Sequence, residues 1–191
     1  MSVLQIATVG HPVLRERARE VTAAELTSPA IQQLIDDLID TMRAAHGAGL
    51  AANQVCELVR IAVIEVYHNL RYPYKPKIGL TVMVNPTIEA IDDETFEVIE
   101  GCLSVPNLRG TVSRFVNIRV RYLDRHGVAH DEIKRGVTAG TFQHECDHLD
   151  GILFLDRVTD PTTFTTWEQY ERFHRAEFVE RITAFIERVG S

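Results

Sequence analysis

The sequence predicts an α+β fold whose strands pair mostly antiparallel. Short β-branched runs recur without the regular strand–helix alternation of a parallel sheet. Asp124-Arg125-His126-Gly127 is a hairpin turn between two such runs. Helical periodicity is confined to a stretch after Ser28, a stretch around His144 and the C-terminal end.

Composition narrows the function classes. The 191 residues are 45% hydrophobic and 25% charged, which suits one compact domain with a real core. A net charge of −7 argues against a nucleic-acid surface, so no direct DNA binding is expected. No apolar run approaches the roughly 18 residues of a membrane span. The N-terminus also lacks the basic stretch and apolar run of a signal peptide. Cys56, Cys102 and Cys146 are odd in number and widely spaced. They do not read as a disulfide framework and fit a reducing, cytoplasmic compartment.

Residues 1–27 read as an irregular arm with a turn at Gly10-His11-Pro12. Ser28-Pro29 is a cap followed by a first-turn proline, and Ile31, Leu34, Ile35, Leu38, Ile39 and Met42 give the helix one apolar face. Gly47 is placed to end it. From Gly47 to Gln54 the chain is rich in small residues, which serve either a tight helix-to-strand connection or a backbone that lies close to a ligand. Neither phosphate-loop spacing is present. Residues 59–66 are a strand by β-branched content, and residues 67–79, with two prolines and three tyrosines, an extended loop. Strands follow at 81–85 and 87–91, separated by Pro86, and at 95–99, leading into Glu100-Gly101-Cys102-Leu103-Ser104. After Pro106 and a glycine turn, 117–123 and 128–133 form a hairpin.

Residues 137–150 are a helix that carries His144-Glu145-Cys146-Asp147-His148. Positions i and i+4 share a face, so both imidazoles aim at one point, and Glu145 can reach a water held there by a metal. Gly151 is placed to stop this helix. A metal needs a third ligand. Cys146 points away from the shared face, and Cys56, in an apolar context, reads as an inert buried thiol. Cys102, in a glycine-flanked turn between strands, ranks first. Finally, Thr165-x-x-Glu168 is a capping box opening a last helix to about Arg188. Trp167, Tyr170, Phe178, Ile182, Phe185 and Val189 form its apolar stripe, suited to core packing or a partner.

The stretches from Gly47 to Gln54, from Glu100 to Ser104 and from Gln143 to His148 stand in the order found in peptide deformylases. The chain resembles that family from Gly10-His11-Pro12-Val13-Leu14-Arg15 through Asp150-Gly151-Ile152-Leu153-Phe154-Leu155-Asp156-Arg157, roughly residues 3–158. The resemblance implies sheets packed around a central metal-bearing helix, with a catalytic domain at 1–158 and a helical extension at 159–191 packed on or beside it. It implies Cys102, His144 and His148 as metal ligands and Glu145 as general acid/base. Gln54 and the Leu103 N–H become oxyanion donors. Gly47, Ala48, Gly49, Glu100, Arg109, Val137, Gly140 and Thr141 fall at the substrate. The implied cofactor is one Fe2+ per chain, with Zn2+, Ni2+ or Co2+ able to substitute. The implied substrates are N-formylmethionyl nascent peptides, met transiently at the ribosome by a monomer or weak homodimer.

Gly140 departs from the larger aliphatic residue expected there, which predicts extra room in the methionine pocket. Glu100 is expected to pair with Arg114. Asp147 and His46 carry no assignment. Two other classes compete: a peptidase built on the same two-histidine motif, and a structural zinc domain in which Glu145 has no task. Residues 160–191 hold six acidic and four basic side chains, which is not a face for ribosomal RNA. Packing on its own domain or a dimer contact competes with ribosome docking for that helix.

Overall fold

The computed structural model describes residues 2–67 and 74–190. Residues 68–73 of the loop expected at 67–79 therefore lie outside the described residues. Among these residues, one antiparallel sheet runs in the order β1 (Gly49–Ala51), β2 (Ile61–Val66), β3 (Ile78–Ala90), β6 (Asn117–Leu123), β7 (Ala129–Arg135). A second sheet joins β4 (Thr95–Cys102), β5 (Val105–Phe115) and β8 (Thr165–Thr166). The helices are α1 (Ala23–Leu26), α2 (Pro29–Ala44), α3 (Gly136–Leu149), α4 (Trp167–Gln169) and α5 (Arg175–Val189), with a π-helical turn at Tyr170–His174 between the last two.

Alternation along β2 sets the layers. Ile61 and Val63 pack with Leu38 and Met42 of α2, while Ala62 and Ile64 pack with Ala139 and Phe142 of α3. A strand buried on both faces reads as a continuous apolar run, and Ile61 to Ile64 of β2 do, before Glu65 breaks it. Each large side chain fully buried in this way contributes about 1.5–3 kcal/mol. Helix α2 is one-sided. Every residue of α3 except His144 is buried, which makes it the central helix. A helix buried all round must find a partner or a task for each polar side chain it carries. Helix α3 carries Gln143, His144, Glu145, Asp147 and His148.

The C-terminal stripe packs on the domain itself. Tyr170, Phe178 and Ile182 share a core with Phe96, Val98 and Val112 of the second sheet and Val137 of α3. The cap of this helix is Thr166, one residue beyond the expected position, and its hydroxyl accepts from the Gln169 N–H. Thr165 serves β8 instead, where Thr165 and Thr166 pair with Arg109 and Leu108.

Several expectations are corrected. His46, not Gly47, takes the left-handed position after α2, with φ 53°. The Gly47 N–H then bonds back to the Met42 carbonyl and the His46 N–H to that of Arg43, a Schellman closure. The strands expected on either side of Pro86 are one strand, β3. The proline sits where the pairing with β6 shifts register between Val84 and Thr87, beside Asn85 at φ 52°. Where Pro106 and Gly110 suggest a turn, the chain forms strand β5, with Val105, Val112 and Arg114 buried. The arm holds a short turn of 3-10 helix at Pro12–Arg15 and helix α1, whose Thr22/Glu25 capping box is legible in sequence. Cys56 is exposed rather than buried, because it occupies a left-handed position, φ 68°, at the end of a 3-10 turn.

Candidate active site

Strands β4 and β5 meet in a hairpin whose Cys102 pairs with Val105, leaving Leu103 and Ser104 as a two-residue turn. That turn brings the sulfur to α3. Cys102 Sγ lies 3.2 Å from His148 Nε2. The donor atoms of Cys102, His144 and His148 all fall within 4.8 Å of one another. The two imidazoles stand edge to face, 4.9 Å between centroids. The sulfur also receives the Ser104 N–H at 3.4 Å and Gln54 Nε2 at 3.5 Å. Burial opposes ionisation of this thiol, but the imidazoles of His148 and His144 bring it down to about 5. The group is set up as a thiolate.

His144 is oriented from behind. Its Nδ1 lies 2.8 Å from Glu100 Oε2, which leaves Nε2 for the site. Glu100 accepts from Arg114 Nε and Nη2 at 2.8 and 2.9 Å, and Arg114 Nη1 donates to Asp147 at 2.6 Å. Asp147 accepts in turn from Arg157 Nη2 at 2.6 Å. Burial raises the Glu100 carboxyl, yet Arg114 and His144 outweigh it and hold the group well below the usual carboxylate range. Two nitrogens and one sulfur, one imidazole fixed by a carboxylate, make a donor set for a divalent transition metal. These residues fit one bound divalent metal ion.

Glu145 follows His144 and is 4% exposed. Burial raises its carboxyl from the ordinary value. Its Oε2 has no hydrogen-bond partner among the described residues. The carboxylate passes directly over Gly49, where an added Cβ would sit 2.5 Å from Glu145 Cδ. Of the two readings of the small-residue stretch, close backbone approach is what Gly49 serves, and the neighbour is a side chain of its own chain. Gln54 Oε1 accepts from the Ala51 N–H at 2.9 Å and its Nε2 donates to Ser104 Oγ at 3.0 Å, so the amide is held at both ends. Asn53 Nδ2 donates to the His148 carbonyl at 2.5 Å. The arm ties these loops together through Ala7 N–H to the Gln54 carbonyl and Val9 N–H to the Ser104 carbonyl, both 2.7 Å.

All the residues expected at the site except His148 line one cleft of about 460 Å³. His148 is 1% exposed behind it. Arg109 is buried and stacked on Trp167, 3.9 Å from the ring centre, and on Tyr170 at 4.8 Å. Thr141 accepts from Lys75 Nζ at 3.0 Å. The extra room expected at Gly140 is not there: a Cβ on it would lie 3.2 Å from Cζ of Phe96. The reading from sequence missed Ser104, which orients Gln54, and Asp147, which anchors Arg114. Ser104 stands inside the Cys102 motif and Asp147 inside the histidine motif, so both were visible. Phe96 and Lys75 belong to no motif.

A family model for polypeptide deformylase matches residues 3–164. The chain is 43% identical over 169 residues to peptide deformylase 2 of a Nostoc species, across 88% of this chain and 93% of that one. The class I type b peptide deformylase of Acinetobacter baumannii, solved with Met-Ala-Ser bound, superposes with a TM-score of 0.79 at 40% identity, over 82% of this chain and 99% of that one. The Thermotoga maritima peptide deformylase does so at 0.74 and 36%, over 84% and 100%. Sequence and fold agree along nearly the whole length of these relatives, and the chain belongs to the polypeptide deformylase family, metal-dependent hydrolases that remove the N-formyl group from nascent polypeptides.

Proposed function

We propose that this chain deformylates N-terminal formyl-methionine with Glu145 as its proton carrier and with Gln54 and the Leu103 N–H as donors to the developing oxyanion. The observation that carries this reading is the buried Glu145 carboxylate, its Oε2 without a partner among the described residues, in the same cleft as Cys102 and His144. Cys102, His144 and His148 would hold one divalent metal, which when bound supplies Lewis acidity and an acidified water. A thiolate beside two imidazoles suits iron(II), with zinc, nickel or cobalt as substitutes.

Glu145 takes a proton from the attacking water as the new O–C bond forms. It holds that proton in the cleft and passes it to the amide nitrogen as the C–N bond breaks, giving a free amine and formic acid, which loses its own proton to become formate. Its raised affinity for the proton suits this shuttle. Gln54 Nε2, fixed by Ala51 and Ser104, and the Leu103 N–H in the hairpin turn donate to the oxygen that gains charge. Val137, Gly140 and Thr141 border the methionine side chain. The segment Gly47-Ala48-Gly49 and the stacked Arg109 flank the peptide beyond it. Glu100 keeps His144 aimed. The three cysteines are all free, which supports a reducing, cytoplasmic setting. No helix among the described residues is long and apolar enough to cross a membrane. A transient encounter with the ribosome by a monomer or weak homodimer completes the reading.

The test is formate release from formyl-Met-Ala-Ser by anaerobic, iron(II)-loaded protein, before and after a chelator. Turnover that is lost with the chelator and regained with iron(II) is the expected result. Cleavage of casein without formate would favour the peptidase class, and bound metal with neither activity a structural zinc domain.

Gly49→Ala probes the placement of Glu145 separately from its chemistry. The added methyl needs the space the carboxylate occupies, so the carboxylate must move while the ligands stay. The expected outcome is a loss of about 10²-fold in kcat, the usual cost of an ångström's misplacement, with metal content unchanged. Full activity in this variant would show that the carboxylate works equally well from another position.

A further inference from the structure

The C-terminal helix reaches the cleft through one pair of aromatic rings. Phe96 lies on β4, 8% exposed, and its ring lines the cleft. Gly140 of α3 lies one helical turn before His144 and lines the same cleft. The space that a side chain at 140 would take is filled from across by the Phe96 ring tip, 3.2 Å from the position of a Cβ. Behind Phe96 stands Phe185 of α5, stacked on it with 4.5 Å between centroids and 16° between planes.

Helix α5 is seated so that this stack cannot drift. Gly136, at the start of α3, has no room for a side chain, because a Cβ there would meet the Gly190 carbonyl oxygen at 2.7 Å and Phe185 Cε1 at 3.6 Å. Arg181 and Arg188 form ion pairs with Glu97 and Glu94 at 3.4 and 3.9 Å, on either side of Phe96 along the chain. Exposed pairs of this kind hold weakly. The stacked rings and the close seat on Gly136 therefore do most of the positioning.

We infer that Phe96 sets the size of the amino-terminal side chain this cleft accepts, with Phe185 of the C-terminal helix as its positioning residue. The inference rests on the reading of the cleft beside Gly140 as the methionine pocket. The wall there is an aromatic ring supplied by a strand, filling the space that a side chain at position 140 of the helix would take. A ring edge is also a favourable neighbour for a thioether sulfur, which suits methionine. The tail thereby becomes part of the specificity machinery as well as part of the core.

The experiment compares kcat/KM for formyl-Met-Ala-Ser and formyl-Phe-Ala-Ser. Phe96→Ala is expected to raise the relative rate on the bulkier peptide by about 10-fold or more, the scale at which pocket volume discriminates. Phe185→Ala should move the ratio in the same direction by less, and Phe96→Ala with Gly140→Ile should bring it back. Ile182→Ala, buried on the same helix and carrying no ring, is the control that should lower Tm and leave the ratio alone. Phe96→Leu serves where the alanine variant does not fold, and it too should shift the ratio. An unchanged ratio in both Phe96 variants overturns the inference. A shift in Ile182→Ala equal to that in Phe185→Ala overturns the positioning role. If the wild type turns over neither peptide, the methionine-pocket reading fails and this inference with it.

Discussion

Glu145→Gln is expected to keep its metal and its fold and to lose roughly 10²–10⁴ in kcat, the contribution typical of a placed proton carrier. The amide is nearly isosteric with the carboxylate, so the packing over Gly49 is retained and no cavity opens. What disappears is the ability to take a proton from the water and return it to the leaving nitrogen. Replacing a buried carboxylate, whose Oε2 has no partner among the described residues, by a neutral amide also relieves a desolvation cost, so Tm should hold or rise slightly. Formate release, metal content and thermal melting on one preparation read all three. Turnover within a few-fold of wild type would assign the proton transfer to another group. Paired with Gly49→Ala, in which the carboxylate is present and displaced, the variant separates what the group does from where it stands.

How much of this was readable from the chain depended on whether the determinant was local. The two histidines, Glu145 and the stop at Gly151 follow from helical spacing alone, and α3 runs as expected. The hairpin turn at Asp124-Arg125-His126-Gly127 is equally local. Cys102 could be ranked by its glycine-flanked setting, but the convergence of its sulfur on His148 depends on β4 pairing with β5, and β5 was not recognised. Its alternation is interrupted by Pro106, Asn107 and Gly110, and Gly110 is needed there because Val158 and Phe164 press on its Cα, 2.9 and 3.0 Å from where a Cβ would sit. Tertiary packing overrode the local turn signal. Cys56 failed for a related reason: its apolar neighbours suggested burial, while a left-handed backbone turned the residue outward. The exchange of bulk between Gly140 and Phe96 lies beyond any local pattern, since the residues are 44 apart in sequence and meet only when the second sheet closes on α3.

Arg114 carries the largest structural consequence of any single charged residue at the site. It is 3% exposed and bridges Glu100, which fixes His144, to Asp147, which closes the outer end against Arg157. Arg114→Met keeps the length and removes the cation. Among the described residues, Glu100 is then left in the interior with only His144, and its two bonds from the guanidinium have no replacement. Breaking a buried ion pair from one side typically costs about 3–5 kcal/mol, which in a chain of this size lowers Tm by roughly 6–20 °C. The same change frees the carboxylate that orients His144, and loss of such support typically weakens metal binding about 10–100-fold. Arg114→Lys retains the charge but not the fork that spans both Glu100 oxygens, so it should recover part of the stability and little of the metal affinity. Thermal melting and a metal competition titration on the two variants measure these effects independently. A methionine variant with wild-type Tm and metal affinity would mean that Glu100 is held by His144 alone, and the Asp147–Arg114 arm would then have no part in shaping the site.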